Sequence, residues 1–159
     1  RINADNSPWG ERIAIVHGDL LEYTTEQRFD HIVSNPPYFV NSLKCDDTSR
    51  TLARHSDSLD RRQFFKKCAE LLSSDGRVSI VIPCDIMNEW KTAALELNLH
   101  PARTTFIKTT PKKAAKRVLI EFRFNTQDEN KESTLVLENS PGEYSDDAKR
   151  ILSDFYLKL

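Results

Sequence analysis

Phe29-Asp30-His31-Ile32-Val33-Ser34-Asn35-Pro36-Pro37-Tyr38 decides how this chain is read. Its first six residues carry the apolar run of a buried strand, and the run stops abruptly at Asn35-Pro36-Pro37. Proline has no N–H to offer a ladder, so two in succession force the chain out of the sheet. The tetrad Asn35-Pro36-Pro37-Tyr38 is therefore expected at the C-terminal end of a strand, where open α/β sheets place their ligands. A simple proline-rich turn is the bland alternative. An Asn before the prolines, an aromatic after them and a strand end beneath make coincidence a poor explanation.

Outward from this segment, the elements alternate. Upstream, Ile13-Ala14-Ile15-Val16 reads as a first buried strand ending in the turn His17-Gly18-Asp19-Leu20. Downstream, residues 40–57 have no clear period, which suits a functional loop better than a plain connector. A helix is expected from Asp60, with Asp60 and Gln63 as a capping box, Phe64, Phe65, Cys68, Leu71 and Leu72 on one face, and a stop at Ser73-Ser74-Asp75-Gly76. Val78-Ser79-Ile80-Val81-Ile82 suits a central parallel strand covered on both faces.

A second helix is expected after an Asp85 cap, with Ile86, Trp90, Ala93, Ala94 and Leu97 inward and Pro101 ending it. Thr104 to Thr110 and Arg117 to Phe124 read as strands, the second half-exposed, with Val118, Ile120, Phe122 and Phe124 alternating with polar or outward positions. Residues 127–133 read as a polar linker, Leu135-Val136-Leu137 as a strand, and Ser145 as the cap of a last helix carrying Ile151, Leu152, Phe155 and Tyr156. The order predicts an α/β layered domain over residues 1–127 and a strand-and-helix appendix over 128–159.

Composition narrows the function classes. The chain has 159 residues, 38% hydrophobic and 30% charged, enough for one domain with a real core. A net charge of −1 provides no global field for nucleic acid, so any RNA contact needs a local basic patch. The densest basic stretch holds Lys108, Lys112, Lys113, Lys116 and Arg117. It is either a solvated loop or a seat for an RNA backbone. Cys45, Cys68 and Cys84 lack metal-ligand spacing, so no metal site is expected and free thiols in a reducing cytoplasm are the plain reading. No apolar run approaches the ~18–20 residues of a membrane span, and no membrane partner is expected.

Asn35-Pro36-Pro37-Tyr38 after a hydrophobic strand resembles the catalytic motif of amino-methyltransferases acting on adenine N6, cytosine N4 or glutamine amides. The chemistry accounts for the residue types. An adenine amine is a poor nucleophile because its lone pair is delocalised into the ring. The Asn35 side-chain oxygen and the Pro36 carbonyl can each accept one of its N–H bonds, favouring a pyramidal amine whose lone pair faces the sulfonium methyl. This is positioning with preorganised electrostatics, and no strong base is needed. Pro37 stiffens the preceding carbonyl. Tyr38 offers a plate on which a flipped base can stack. Phe39 is either a further pocket wall or an ordinary core residue.

Ser7-Pro8-Trp9, His17-Gly18-Asp19, Ser42-Leu43-Lys44-Cys45, Thr51-Leu52-Ala53-Arg54-His55 and Asp154-Phe155-Tyr156-Leu157 are together similar to one bacterial subfamily, the tRNA (adenine-N6)-methyltransferases acting on the adenosine 3′ of a valine tRNA anticodon. The resemblance implies S-adenosylmethionine as cofactor and tRNA as partner. It also implies a Rossmann-like class I sheet, parallel with an antiparallel last strand. By position, Asp19 would meet the cofactor's adenine amine and Leu20 would offer a backbone N–H, with Asn35 also near the cofactor. The plainer alternative is that Asp19 only caps its own turn. Arg54 and His55 would overlie the substrate pocket, although His55 also reads as a solvated loop imidazole. Lys112, Lys113 and Lys116 would hold the tRNA backbone.

One part of the pattern is missing. Glycines stand only at 10, 18, 76 and 142, so the glycine-rich cofactor turn is not in this sequence. The resemblance places Arg1 just past the second helix of a parent domain, with the first two strands absent. From this we expect Ile13 to Val16 to lose its neighbour and the Phe29 strand to gain an open edge. The fragment should then repack or self-associate, bind cofactor weakly and turn over little. DNA adenine or protein glutamine as acceptor, and a non-catalytic RNA-binding module, are the competing readings.

Overall fold

The computed structural model describes residues 1–37, 60–124 and 129–156. Tyr38, Phe39, Cys45, Arg54 and His55 lie outside these residues. Ile2–Asp5 forms a single helical turn, α1, followed by a 3-10 turn at Gly10–Arg12. The remaining helices are Arg61–Leu71 (α2), Met87–Leu95 (α3) and Asp146–Leu152 (α4). Five strands form the main sheet: Phe29–Ser34 (β1), Leu72–Pro83 (β2), Leu99–Lys108 (β3), Arg117–Phe124 (β4) and Lys131–Val136 (β5). Glu138–Ser140 (β6) and Glu143–Tyr144 (β7) pair as a small separate hairpin.

The sheet order is β1-β2-β4-β3-β5. β1 is parallel to β2, β3 is parallel to β5, and β4 runs antiparallel between β2 and β3. Four strands therefore point the same way, and the expected antiparallel strand is present. β5 adds a further parallel strand beyond it, so a division at residue 127 falls between two strands of one sheet. Among the described residues, β1 is an edge strand.

The core lies on one face. Val78, Ile80 and Ile82 of β2 and Val118, Ile120 and Phe122 of β4 are buried beneath α2 and α3. Phe65 sits between Phe64, Trp90 and Phe122, with ring centroids 5.2, 5.8 and 5.1 Å away in edge-to-face geometry. α2 begins where Asp60 Oδ1 accepts from the Arg62 and Gln63 amides at 2.7 and 3.3 Å, as the capping pattern predicts. Gly76 is required by close approach: a Cβ there would sit 2.9 Å from the Phe29 carbonyl oxygen and from Leu72 Cδ2.

Several expectations are corrected. Ile13 to Val16 is not a strand. Ile13, Ile15 and Val16 are 42%, 48% and 66% exposed, because an apolar run with no neighbouring strand to pair with buries nothing. The β2 strand is covered on one face only: Ser79 and Val81 are half-buried on a side where Val33 stays 73% exposed. α2 stops at Leu71 and β2 takes over at Leu72, before the expected Ser73–Gly76 stop.

Asp85 caps nothing. It lies in a 3-10 turn, Cys84–Ile86, and α3 starts from Ile86 without a side-chain cap. α3 ends at Leu95, and the turn into β3 is made by Asn98 at φ 59°, while Pro101 sits at an irregularity within β3. Lys131 to Ser133 belongs to β5, where a linker was expected. Ser145 does cap α4, accepting from the Ala148 amide at 3.1 Å. The helix ends at Leu152, short of Phe155 and Tyr156, and Ile151, Phe155 and Tyr156 are exposed.

Candidate active site at the C-terminal rim of the sheet

The shared direction of β1, β2, β3 and β5 gives the sheet one rim at which these strands all end. β1 stops at Ser34, beside Ile80 of β2, and Asn35-Pro36-Pro37 leaves the sheet from that point. Pro36 is fully buried, whereas Asn35 and Pro37 are exposed. A buried, donor-free ring locks the backbone at the strand end and leaves the preceding amide side chain facing solvent. No hydrogen bond holds the Asn35 side chain among the described residues.

The lysine stretch reaches the same rim by another route. β3 ends at Lys108 and β4 begins at Arg117, beside Pro83 at the end of β2. The turn between them is fastened at several points. Lys108 Nζ donates to the Pro111 carbonyl at 2.6 Å, the Lys113 amide to Thr110 at 3.1 Å, and the Lys116 amide to Ile107 at 3.2 Å. The Cys84 amide donates to the Lys116 carbonyl at 3.1 Å, tying this turn to the end of β2. Lys112, Lys113 and Lys116 are exposed and join none of the ion pairs among the described residues. Burial, with a smaller contribution from Asp85, raises the Cys84 thiol above its ordinary range.

Asp19 lies apart from the paired strands. Its Oδ1 accepts from the Leu21 amide at 2.8 Å, so the carboxylate does close its own turn. Leu20 packs against the core, and Lys67 Nζ of α2 donates to the Tyr23 carbonyl at 3.3 Å, which anchors this turn to the helix layer. Asp19 keeps a second carboxylate oxygen for an amine, and the Leu20 amide takes part in no backbone hydrogen bond among the described residues. An acceptor beside a donor fits the edge of an adenine ring.

One cluster escaped the sequence reading. On the face away from α2 and α3, Glu121 is 9% exposed and meets Arg77 at 3.7 Å, Arg103 at 3.6 Å and Arg123 at 2.8 Å. Its only trace in the sequence is a Glu at an outward position of β4. The partners come from three strands, and their registers are not readable from spacing. Among the described residues, no group of three or more His, Cys, Asp or Glu stands ready for a metal ion, and no helix is long and apolar enough to cross a membrane.

Residues 2–107 match the family model described as Eco57I restriction-modification methylase. Over 157 residues, 99% of this chain, it is 43% identical to the tRNA1(Val) (adenine(37)-N6)-methyltransferase of Bacteroides thetaiotaomicron, covering 66% of that protein. The relative of the same name from Bacteroides fragilis is 41% identical and is covered to 67%. The chain belongs to this methyltransferase family. It spans about two thirds of the length of the relatives it matches. The fold agrees with membership: a crystal structure of a predicted O-methyltransferase from Agrobacterium tumefaciens superposes with a TM-score of 0.71 over 96% of this chain and 70% of that one, at 14% identity. Family membership and the mixed α/β sheet expected from the sequence therefore both hold.

Proposed function

We propose that this chain carries the acceptor-amine site of an S-adenosylmethionine-dependent enzyme that methylates adenine N6 in tRNA, at the position 3′ of a valine tRNA anticodon named for its relatives. The observation that carries this reading is the Asn35-Pro36-Pro37 exit from β1, with Pro36 buried and Asn35 presented at the parallel rim. S-adenosylmethionine supplies the methyl group when bound. The chain's own residues position the acceptor: the Asn35 oxygen and the Pro36 carbonyl accept the two amine protons, and Pro37 holds that carbonyl still. Tyr38, with Phe39, Arg54 and His55, completes the base pocket in this reading. Asp19 and Leu20 take the edge of the cofactor's adenine, and Lys112, Lys113 and Lys116 take the RNA backbone. The setting is cytoplasmic.

The open edge of β1 is a surface for self-association. A second reading, DNA adenine as acceptor, is favoured by the restriction-modification methylase model that matches residues 2–107. Transfer of labelled methyl by the protein at the length of its relatives, offered valine tRNA, adenine-containing DNA and glutamine peptide in turn, decides between them. Labelling of tRNA that falls at least ~10²-fold with Asn35→Ala supports the reading. Labelling of DNA alone, or full activity in Asn35→Ala, overturns it.

A further inference from the structure

We infer that the lysine turn between β3 and β4 is a phosphate platform that sets the length of RNA the site accepts, gripping the backbone about four to six nucleotides from the base presented to Asn35. The inference deepens the proposed function and rests on it for the identity of the acceptor base.

Charge is segregated here to a degree that the net charge of −1 hides. No Asp or Glu occurs between Glu96 and Glu121, while Lys108, Lys112, Lys113, Lys116 and Arg117 fall within that interval. Some exposed cations elsewhere are paired locally, Arg62 with Glu96 and Arg150 with Asp147, while Lys66, Lys131 and Lys149 stand singly outside the ion pairs among the described residues. Among the described residues, Lys112, Lys113 and Lys116 have no such partner. Three free ammonium groups on a turn pinned to both β3 and the end of β2 make a fixed positive surface, so little backbone order has to be created when an anion binds.

Register sets the distance. Ser34 is level with Ile80 and Arg117 is level with Pro83, so the turn begins about three residues, or ~10 Å, beyond the end of β1. Sideways, β4 and β3 stand two and three strand spacings from β1, about 10 and 14 Å. Asn35 and the three lysines are thus separated by roughly 14–20 Å. A stacked strand rises about 3.4 Å per nucleotide, which gives the interval of four to six. Phosphate contacts at that range carry no base identity. They select for an RNA with enough flanking backbone, which a free nucleoside or a very short oligomer lacks.

The test is fluorescence anisotropy of the 159-residue chain with labelled RNAs carrying one central adenine and lengthened from about 3 to about 16 nucleotides. The affinity should rise at least tenfold once the flank passes about four nucleotides. In the triple variant Lys112→Ala, Lys113→Ala, Lys116→Ala that step should vanish, the shortest RNAs should bind as before, and the log–log salt slope should fall by about 2. The triple arginine variant should restore all three, which excludes a folding defect as the cause. Equal loss at every length, or an unchanged salt slope, overturns the platform. Matched RNAs with uridine in place of the adenine separate the two readings. A length step without adenine preference keeps the platform and sinks the acceptor reading, and adenine preference without a step does the reverse.

Discussion

The two faces of the main sheet are made from the same strands and differ in almost everything else. Towards α2 and α3, Val78, Ile82, Val118 and Phe122 are each 0% exposed, and an aromatic cluster closes over them. Towards the other side, Val33 is 73% and Leu119 43% exposed, and among the described residues the only well-shielded group is Glu121 among its arginines. A shallow groove lined by Val33, Ser79, Val81, Leu119 and Glu121 runs across this face. One face carries the stability of the chain, and the other spends apolar side chains on water. An alternating strand can do this because successive residues belong to different environments. The candidate site sits at the rim where both faces end, so it is held from one side only.

If that contrast is right, the largest effect comes from Phe65. It touches Phe64, Trp90 and Phe122 and is 0% exposed, so it joins α2, α3 and β4 at a single point. Phe65→Ala should cost about 3–5 kcal/mol in chemical denaturation, from lost burial and the cavity left behind. For a chain with one covered face that is enough to leave much of the population unfolded. A cost below about 1 kcal/mol would mean that the cluster collapses freely and that the covered face is not the source of stability.

A smaller effect is set by Cys68, on the same helix. Burial pushes its thiol up from 9.0 to about 12. Above pH 9 the unfolded chain therefore releases a proton that the folded chain keeps, and stability falls as pH rises towards 12. The slope contributed by this group should approach about 1.4 kcal/mol per pH unit within that window, and Cys68→Ala should remove it. Denaturation midpoints of the two proteins at pH 8 and pH 10.5 measure the difference. Parallel profiles would show that the thiol is reached by water.

Legibility followed the same division between the faces. β4 was readable to its end residues because Val118, Ile120 and Phe122 alternate with Leu119, Glu121 and Arg123, and one side of that alternation meets a real core. Asp60 was readable because a cap is a local bond between residues two and three apart. Ile13 to Val16 misled because an apolar run reports a wish for burial and says nothing of whether a neighbouring strand exists to grant it. The run Val78 to Ile82 misled in the same sense, since hydrophobic continuity could not reveal that one of its two faces is uncovered. At the site, Asn35-Pro36-Pro37 was legible because proline chemistry and a strand end act within a few residues. The convergence of the lysine turn on the same rim was not, because it depends on β4 being inserted antiparallel between β2 and β3.

The smallest predicted effect is the most direct probe of the bare face. Val33→Thr and Leu119→Thr replace exposed apolar groups with a β-branched polar one, which keeps strand propensity while removing apolar surface. Each should change the unfolding free energy by no more than about 0.5 kcal/mol. Ile80→Thr, on the neighbouring strand but facing α2 and α3, should cost several times that, since it buries a hydroxyl in an apolar layer. Light scattering adds a second readout. An uncovered apolar face beside an open strand edge favours contact between copies, so the double variant Val33→Thr, Leu119→Thr should have a lower mass at high concentration than the parent chain. A loss of more than about 2 kcal/mol for Val33→Thr would show that something in this chain covers the face after all, and the contrast between the two sides would be gone.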